Sequence, residues 1–421
     1  ALSAEDSARM AAAVLDADGL PDALRSLIGA KGEGNPFYVE ELVKSLEESG
    51  ALRREGARLI LSQPLAALAI PGSIHDVIAA RIDRLADAPK RVLQLAAVIG
   101  REFTRRLVDR LAEIRERTDD FLRELTALEL ILERRLYPEL AYMFKHALTQ
   151  DVAYDSLLVQ RRRELHALVG RAIEELYGDR VTEHHEMLAH HFSKAEDWPR
   201  ALDYLIKAAE KASQAFGLRQ ALALYGDALV AAGHLEDRVP AATLIAIHRA
   251  RADLFWGLGE FAHSPDGAER VVALTRRLHD RPAEAGALVQ VASALQWIED
   301  FPKAHERVRE AIEIAEGVGA QGPLAGGLYI RGYMNAVNGR LDVTETDLGR
   351  ALEIGRSMGD ANRQALVLHL IPLKRAWQGQ FRESLALGDE GIRLARQHRL
   401  AIPLLRCLWN QGIACHEMGH H

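Results

Sequence analysis

The sequence predicts a mainly α protein whose second half is an α-solenoid, and three observations carry that expectation. Phe261, Phe301, Leu341 and Phe381 stand 40 residues apart, each opening a helical stretch after a short polar or glycine turn. Small residues keep the same register, at Ala252, Ala292, Gly332, Pro372 and Gly412 and again at Ala311, Ala351 and Gly391. Hydrophobic residues make up 48% of the 421-residue chain but aromatics only 6%, with Ala, Leu, Arg and Glu abundant, as packed helices require. A repeat of this length is one helical hairpin that cannot hide its apolar face alone; stacking the hairpins makes one continuous core.

The elements follow in order. Residues 3–17 read as a helix, with Ser3 as cap and Asp6 three positions on. A second helix follows Pro21, and a third runs from Pro36 to about Ser49, ended by Gly50. A loose segment from Arg53 to Ile70 holds one candidate strand at residues 57–61, and Pro71-Gly72 breaks the chain. Ser73-Ile74-His75-Asp76 opens a helix to about Leu85, and Pro89 is the expected first residue of the next, which stops at Gly100. Residues 103–114 and 118–130 read as further helices, the latter capped by Thr118, and residues 131–135 and 140–144 flank Tyr137-Pro138-Glu139 as a hairpin. Helices followed by a hairpin is the plan of a winged helix. Glu124, Glu129 and Glu133 on its expected reading helix and wing, with a net charge of −7, argue against DNA contact.

From Asp151 onward the pattern is helical. In the register of His248, Leu288, Leu328, Leu368 and Leu408, leucines fill the grooves that the small residues open, with Ile312, Leu352 and Ile392 on the second helices. Pro372 falls mid-helix, where proline costs about 3 kcal/mol unless a kink absorbs it. An earlier pair near Trp198 and Gly217 is related but out of register. The array stops where a second helix should begin, so a truncated solenoid, or one completed by another chain, is expected, with Trp409 and Ile413 uncovered. The expected domains are 1–70, 71–158 and 159–421.

Catalytic signatures are few. No Gly-x-x-x-x-Gly-Lys-Ser/Thr loop occurs. His416-Glu417-Met418-Gly419-His420 matches the zinc-protease spacing, but the repeat register puts His420 beyond a helix end, so no metal is expected. No serine or cysteine nucleophile arrangement is present, and the chain as given reads as non-enzymatic. Cys407 and Cys415 lie two helical turns apart, too far for a disulfide, and fit reduced cytoplasmic thiols. No apolar run is long enough to cross a membrane.

Three stretches resemble the STAND class of AAA-type signal-transduction ATPases, particularly those joined to class III adenylate or guanylate cyclase domains and tetratricopeptide repeats. They are Gly34-Asn35-Pro36-Phe37-Tyr38-Val39-Glu40-Glu41-Leu42; Phe144-Lys145-His146-Ala147-Leu148 through Tyr154 to Arg162 and His166; and His191 through Trp198 with Ala201 to Ala212. The resemblance implies a helical lid, a winged-helix module and a tetratricopeptide-like solenoid. It further implies ATP or ADP with Mg²⁺ in a longer parent, Pro36 against the adenine with Gly34 and Asn35 beside it, and His146 on the β-phosphate of ADP. Its implied partners are a P-loop ATPase domain and an output domain, a cyclase first. The function so implied is a regulatory and sensory arm; a stand-alone tetratricopeptide scaffold and the arm of a LuxR-type activator share the plan. A protein, peptide or small ligand is expected in a groove built around Arg249, Arg251, Gln290, Gln296, Arg331, Asn335, Asn338, Arg375 and Gln378.

Overall fold

A computed structural model describes residues 1–32, 34–55, 58–62, 73–111, 117–135 and 139–419. The chain forms two compact units, Ala1–Tyr204 and Leu205–His421.

In the first unit, α1 (Ala4–Val14), α2 (Asp22–Lys31) and α3 (Pro36–Glu48) bury Leu24, Ile28, Val39, Leu42 and Val43 against one another. Ser3 caps α1 by accepting from Asp6 N at 3.0 Å, as its position predicts. A two-stranded antiparallel ribbon follows, β1 (Leu52–Glu55) with β2 (Arg58–Leu61). The sequence suggests only the second of these strands. Most of the loose segment to Ile70, and Pro71-Gly72, lie outside the described residues.

α4 (Ile74–Asp83) is capped by Ser73, which accepts from Asp76 N at 3.2 Å. α5 (Asp87–Ile99) starts two residues before Pro89, which sits at the third helical position rather than the first. Residues 103–114, read as one helix, divide instead: β3 (Glu102–Thr104) precedes α6 (Arg105–Leu111), and Ile114 lies outside the described residues. Phe103 packs under β5 in an antiparallel pair with Tyr142, and Thr104 Oγ1 accepts from Leu107 N at the start of α6. α7 (Thr118–Ala127) has Arg117 at its cap position, and Thr118 is buried instead of capping. The hairpin β4 (Ile131–Arg135) and β5 (Ala141–Phe144) joins β3 in a sheet of order β3-β5-β4. Its turn at residues 136–138 lies outside the described residues. α8 (Ala147–Asp155), α9 (Val159–Leu176) and α10 (His185–Lys194) complete the unit, α9 and α10 meeting where Gly170 lies flat on Phe192. A Cβ at Gly170 would stand 2.8 Å from that ring.

The boundary between the units falls within α11 (Trp198–Gln214). The second unit is a tetratricopeptide-like α-solenoid. Its helices are α12 (Leu218–Leu235), α13 (Ala241–Leu258), α14 (Ser264–Arg277), α15 (Arg281–Trp297), α16 (Phe301–Val318), α17 (Gln321–Val337), α18 (Leu341–Ser357), α19 (Ala361–Trp377), α20 (Phe381–Gln397) and α21 (Ala401–Glu417). A residue with positive φ ends each helix at a constant interval: Gly259, His279, Glu299, Gly319, Gly339, Gly359, Gly379, Arg399 and Gly419, every 20 positions. Left-handed backbone of this kind is glycine's natural role beyond a helix end. Glu196, Phe216 and Glu236 continue the interval upstream. The three-residue 3₁₀ turn Glu236–Arg238 then shifts the phase, which is why the earlier pair is out of register in the sequence.

The core is the predicted one. Leu288, Leu328 and Leu368 are buried, as are Ala292, Ala311 and Ala351, while Leu408 is half exposed. At Gly332 a Cβ would come 2.9 Å from Leu348, so the small register position does permit close helix approach. Pro372 lies inside α19 without ending it. Asn410 donates to the His369 carbonyl at 2.6 Å, beside the carbonyl of Leu368 that Pro372 leaves without its helical donor.

Candidate functional site

Two places concentrate the residues the sequence singles out. The first lies in the first unit, where α3 meets the start of α8. Asn35 caps α3, its side-chain oxygen accepting from Phe37 N at 3.1 Å and Tyr38 N at 3.5 Å, and Pro36 occupies the first helical position, where its missing N–H costs nothing. Gly34 has φ +69° and lies against the N-terminal backbone: Leu2 N donates to Gly34 O at 2.7 Å, and a Cβ would meet Leu2 O at 2.4 Å. Glycine is therefore required at 34 on both conformational and steric grounds.

His146 precedes α8 and reaches the same place. Its ring lies 3.9 Å from the Phe37 ring, centroid to centroid, at 41°. Its Nε2 is buried without a hydrogen-bond partner, and burial lowers the imidazole from its ordinary value. Around the pair runs an ion network. Glu40 accepts from Lys44 at 2.8 Å and Lys145 at 2.7 Å, and both lysines also reach Glu129. Burial would raise the Glu40 carboxyl, but the hydrogen bonds from Lys145 and Lys44 outweigh it, and the same two lysines hold Glu129 at about 2. Glu41 pairs with Arg81, whose guanidinium also donates to Glu48 at 2.9 Å and to Leu128 O at 2.8 Å. Ligand atoms of Glu40, Glu41 and His146 lie within 4.8 Å of one another, but cationic side chains already balance both carboxylates.

Which groups fit a nucleotide here follows from these partners. The lysines are engaged by carboxylates and leave no free charge for a phosphate, whereas the unpartnered Nε2 of His146 has a hydrogen bond to give.

The second place is the concave face of the solenoid, a cavity of about 760 Å³ lined by α13, α15, α17, α19 and α21. On α19 the lining residues are Asn362, Leu366, His369, Leu373 and Trp377, at intervals of 4, 3, 4 and 4, one stripe of a 3.6-residue helix. Trp256, Trp297 and Trp409 join Trp377, so four of the chain's five tryptophans face one cavity. Trp256 and Trp297 meet edge to face at 5.1 Å, and Phe261 stacks on Trp297 at 5.2 Å. Arg406 of α21 donates to Tyr329 Oη at 3.1 Å and lies over Trp297 at 5.9 Å. Burial pushes Tyr329 up to about 12 and His369 down to about 4, so both are neutral at pH 7.

Of the groove residues expected from the sequence, Gln296 lines this cavity, with its Oε1 buried and unpartnered. Arg331 is held by Asp347 at 2.8 and 2.7 Å, and Arg375 by Glu345 at 2.8 Å, both toward α18. Asn335 is buried, Arg249 and Gln290 are exposed, and Asn338 and Gln378 follow the ends of α17 and α19. Arg251 lies over Phe255 at 5.8 Å with its Nε buried and unpartnered. The stripe was detectable through the 40-residue register, which aligns Tyr329, His369 and Trp409, then Tyr333, Leu373 and Ile413, then Trp297 and Trp377.

His416 and Glu417 end α21, and His420 lies outside the described residues. Both cysteines are free thiols, and burial pushes Cys407 up to about 11. No described helix is long and apolar enough to cross a membrane.

No family model matches the chain, and no curated protein matches it. Solved structures do. BtubC from P. vanneervenii is 18% identical over 54% of this chain and 93% of that one, with a TM-score of 0.41. A Rap protein solved with competence and sporulation factor is 13% identical over 62% and 74%, at 0.43. A STAND protein with a tetratricopeptide repeat sensor from Pyrococcus horikoshii is 11% identical over 99% of this chain, which spans 57% of that protein's length, also at 0.43.

Proposed function

We propose that this chain is the regulatory and sensory arm of a multidomain signal-transduction ATPase of the STAND type. Ligand or protein binding on the repeats is coupled to a nucleotide switch in the first unit that controls a cyclase or other output domain. The observation that supports this best is the approach of Asn35-Pro36-Phe37 to His146. The two motifs come from distant parts of the sequence, and the Phe37 and His146 rings stand 3.9 Å apart. In this reading the helices around α3 are the lid, the α4–α8 region with its β3-β5-β4 sheet is a winged-helix module, and residues of both would hold ADP. When bound, the nucleotide would supply the phosphate charge, partly neutralised by Mg²⁺, that distinguishes the resting from the active form. Pro36 would pack against the base, Gly34 would let the lid backbone close in, and the unpartnered Nε2 of His146, in the tautomer that carries its proton there, would donate to a phosphate oxygen. A ligand on the repeats favours the open form only by as much as it binds that form better.

The test uses a parent protein that carries a P-loop domain ahead of this chain. ADP affinity measured by calorimetry should fall when His146→Ala is introduced, and basal output should rise; ADP affinity that stays the same removes His146 from the switch. A second reading, a scaffold that binds partners through the repeats without a nucleotide, draws on the aromatic cavity alone. It prevails if the P-loop parent binds neither ADP nor ATP.

A further inference from the structure

The reading of the repeats as a sensing surface leaves the sensed chemistry open, and the concave cavity narrows it. We infer that it binds a short extended peptide with bulky apolar or aromatic side chains and a single carboxylate, the carboxylate docking on Arg406. This rests on that reading and goes one step beyond it.

Charge comes first. Arg406 is the one ionised side chain among the described lining residues at neutral pH, because His369 is buried and neutral and no aspartate or glutamate lines the cavity. A cationic ligand finds no counter-charge there, and a ligand with several anionic groups finds only one. Arg406 is also positioned in advance. Its bond to Tyr329 and its place over Trp297 tie α21 to α17 and α15 and fix the guanidinium, leaving further N–H groups for a carboxylate.

The walls decide the rest. Trp297, Trp377 and Trp409 are 42%, 50% and 72% exposed, and Ile402 and Leu405 are likewise open on α21. Tryptophans presented this way offer rigid apolar area at little entropic cost. An apolar carboxylate without N–H groups, such as a fatty acid, satisfies Arg406 and the indoles. It gives nothing to Gln296 Oε1, a buried acceptor with no donor, nor to the exposed amide of Asn362 at the head of the stripe. A peptide backbone has both donors and acceptors for the two of them. Sugars need the reverse balance, many polar partners around a ring platform, and this lining is mostly apolar.

The experiment screens the full chain against a randomised hexapeptide library made in two forms, C-terminal free acid and C-terminal amide. Retained peptides should be rich in Trp, Phe, Leu and Met, carry one carboxylate and lack Lys and Arg. For the best of them, Arg406→Gln should weaken binding about tenfold or more, Arg406→Lys should keep part of it, and removing the peptide's carboxylate should cost nothing further in Arg406→Gln. Trp409→Ala, at an exposed position that does not carry packing, should weaken binding by a similar factor. Retained peptides that are basic, or that ignore Arg406, overturn the inference while the sensing role of the repeats stands. Dodecanoate binding as tightly as the best peptide overturns it too. A folded chain that retains no peptide in either form overturns the inference and the peptide reading of the groove together.

Discussion

Replacing Arg81 with methionine should destabilise the first unit by about 3–5 kcal/mol, because it strands a buried charge. Arg81 and Glu41 are 3% and 2% exposed, among the least accessible charged residues described. The guanidinium holds Glu41 and Glu48 and donates to Leu128 O at 2.8 Å, so one side chain ties α4 to α3 and to the end of α7. Methionine fills most of the volume but leaves the buried Glu41 without its cation, beside the carboxylate of Glu40 and the imidazole of His146. Arg81 gives four hydrogen bonds, one to Glu41, two to Glu48 and one to Leu128 O, and at about 1.5–3 kcal/mol each their plain sum exceeds that range, part of it being recovered as water reaches the less buried Glu48. Against a domain stability of about 5–15 kcal/mol the unit should survive, weakened. Four of the five tryptophans lie in the second unit, so urea unfolding followed by fluorescence reports the repeats. Amide-exchange protection in α3 and α4 reports the first unit and should fall while the fluorescence midpoint holds. In Glu41→Leu with Arg81→Met, at least about 2 kcal/mol should return, since an apolar pair replaces an ion pair with little loss. A loss below 1 kcal/mol in the single variant, or simple additivity in the double, would refute the reasoning.

Three further outcomes follow from other features. Glu299→Gly and Arg399→Gly should each stabilise the repeats by up to about 1 kcal/mol and Gly339→Ala should cost about 1–2, since all three positions hold positive φ; equal melting temperatures across the three would count against left-handed helix ends. Gly327→Leu should unfold or severely weaken the repeats, because even a Cβ there would lie 2.7 Å from Ile312, whereas Gly349→Leu, with open space around it, should be nearly silent in the same thermal melt. The first unit should lose stability on acidification: burial first, then the charges of His190, Lys194 and Arg162, lower His166 to about 4, burial with His166 and His190 lowers His191 to about 3, and His166 Nδ1 meets His191 Nδ1 at 2.9 Å. Below the ordinary value near 6.5 the unfolded chain takes up protons that the folded one refuses. Stability is therefore full above that pH and falls by up to about 1.4 kcal/mol per unit for each ring as pH drops toward 4. Exchange protection in α9 and α10 that is the same at pH 7 and pH 5 would contradict this.

Helix starts were legible wherever a side chain bonds locally, as at Ser3 and Ser73, because capping needs only neighbours in sequence. β3 was not, since three residues carry no periodicity and Phe103 acquires its role only from Tyr142, far along the chain. β1 escaped for a related reason: Leu-Arg-Arg-Glu does not alternate, and its pairing with β2 defines it. The meeting of Phe37 with His146 was implied by the resemblance and not by any spacing. The groove shows where chemical reasoning alone runs short. Arginines and amides were selected for what they can bind, but Arg331 and Arg375 lie off the stripe and are held by carboxylates of α18. The aromatic stripe that faces the cavity was written in the register rather than in residue type.

The constant interval between helix ends has a further implication. Removing one 40-residue block, such as Phe301 through Arg340, would join two chain ends in equivalent phase, so the arm can be shortened or lengthened without redesigning any hairpin. The tryptophan-lined hollow has no such freedom. It draws on five successive inner helices, and a block lost between Trp297 and Trp377 would bring those walls one repeat closer and change what fits between them. Array length and ligand choice are therefore one inherited property, and any lineage that alters the first alters the second.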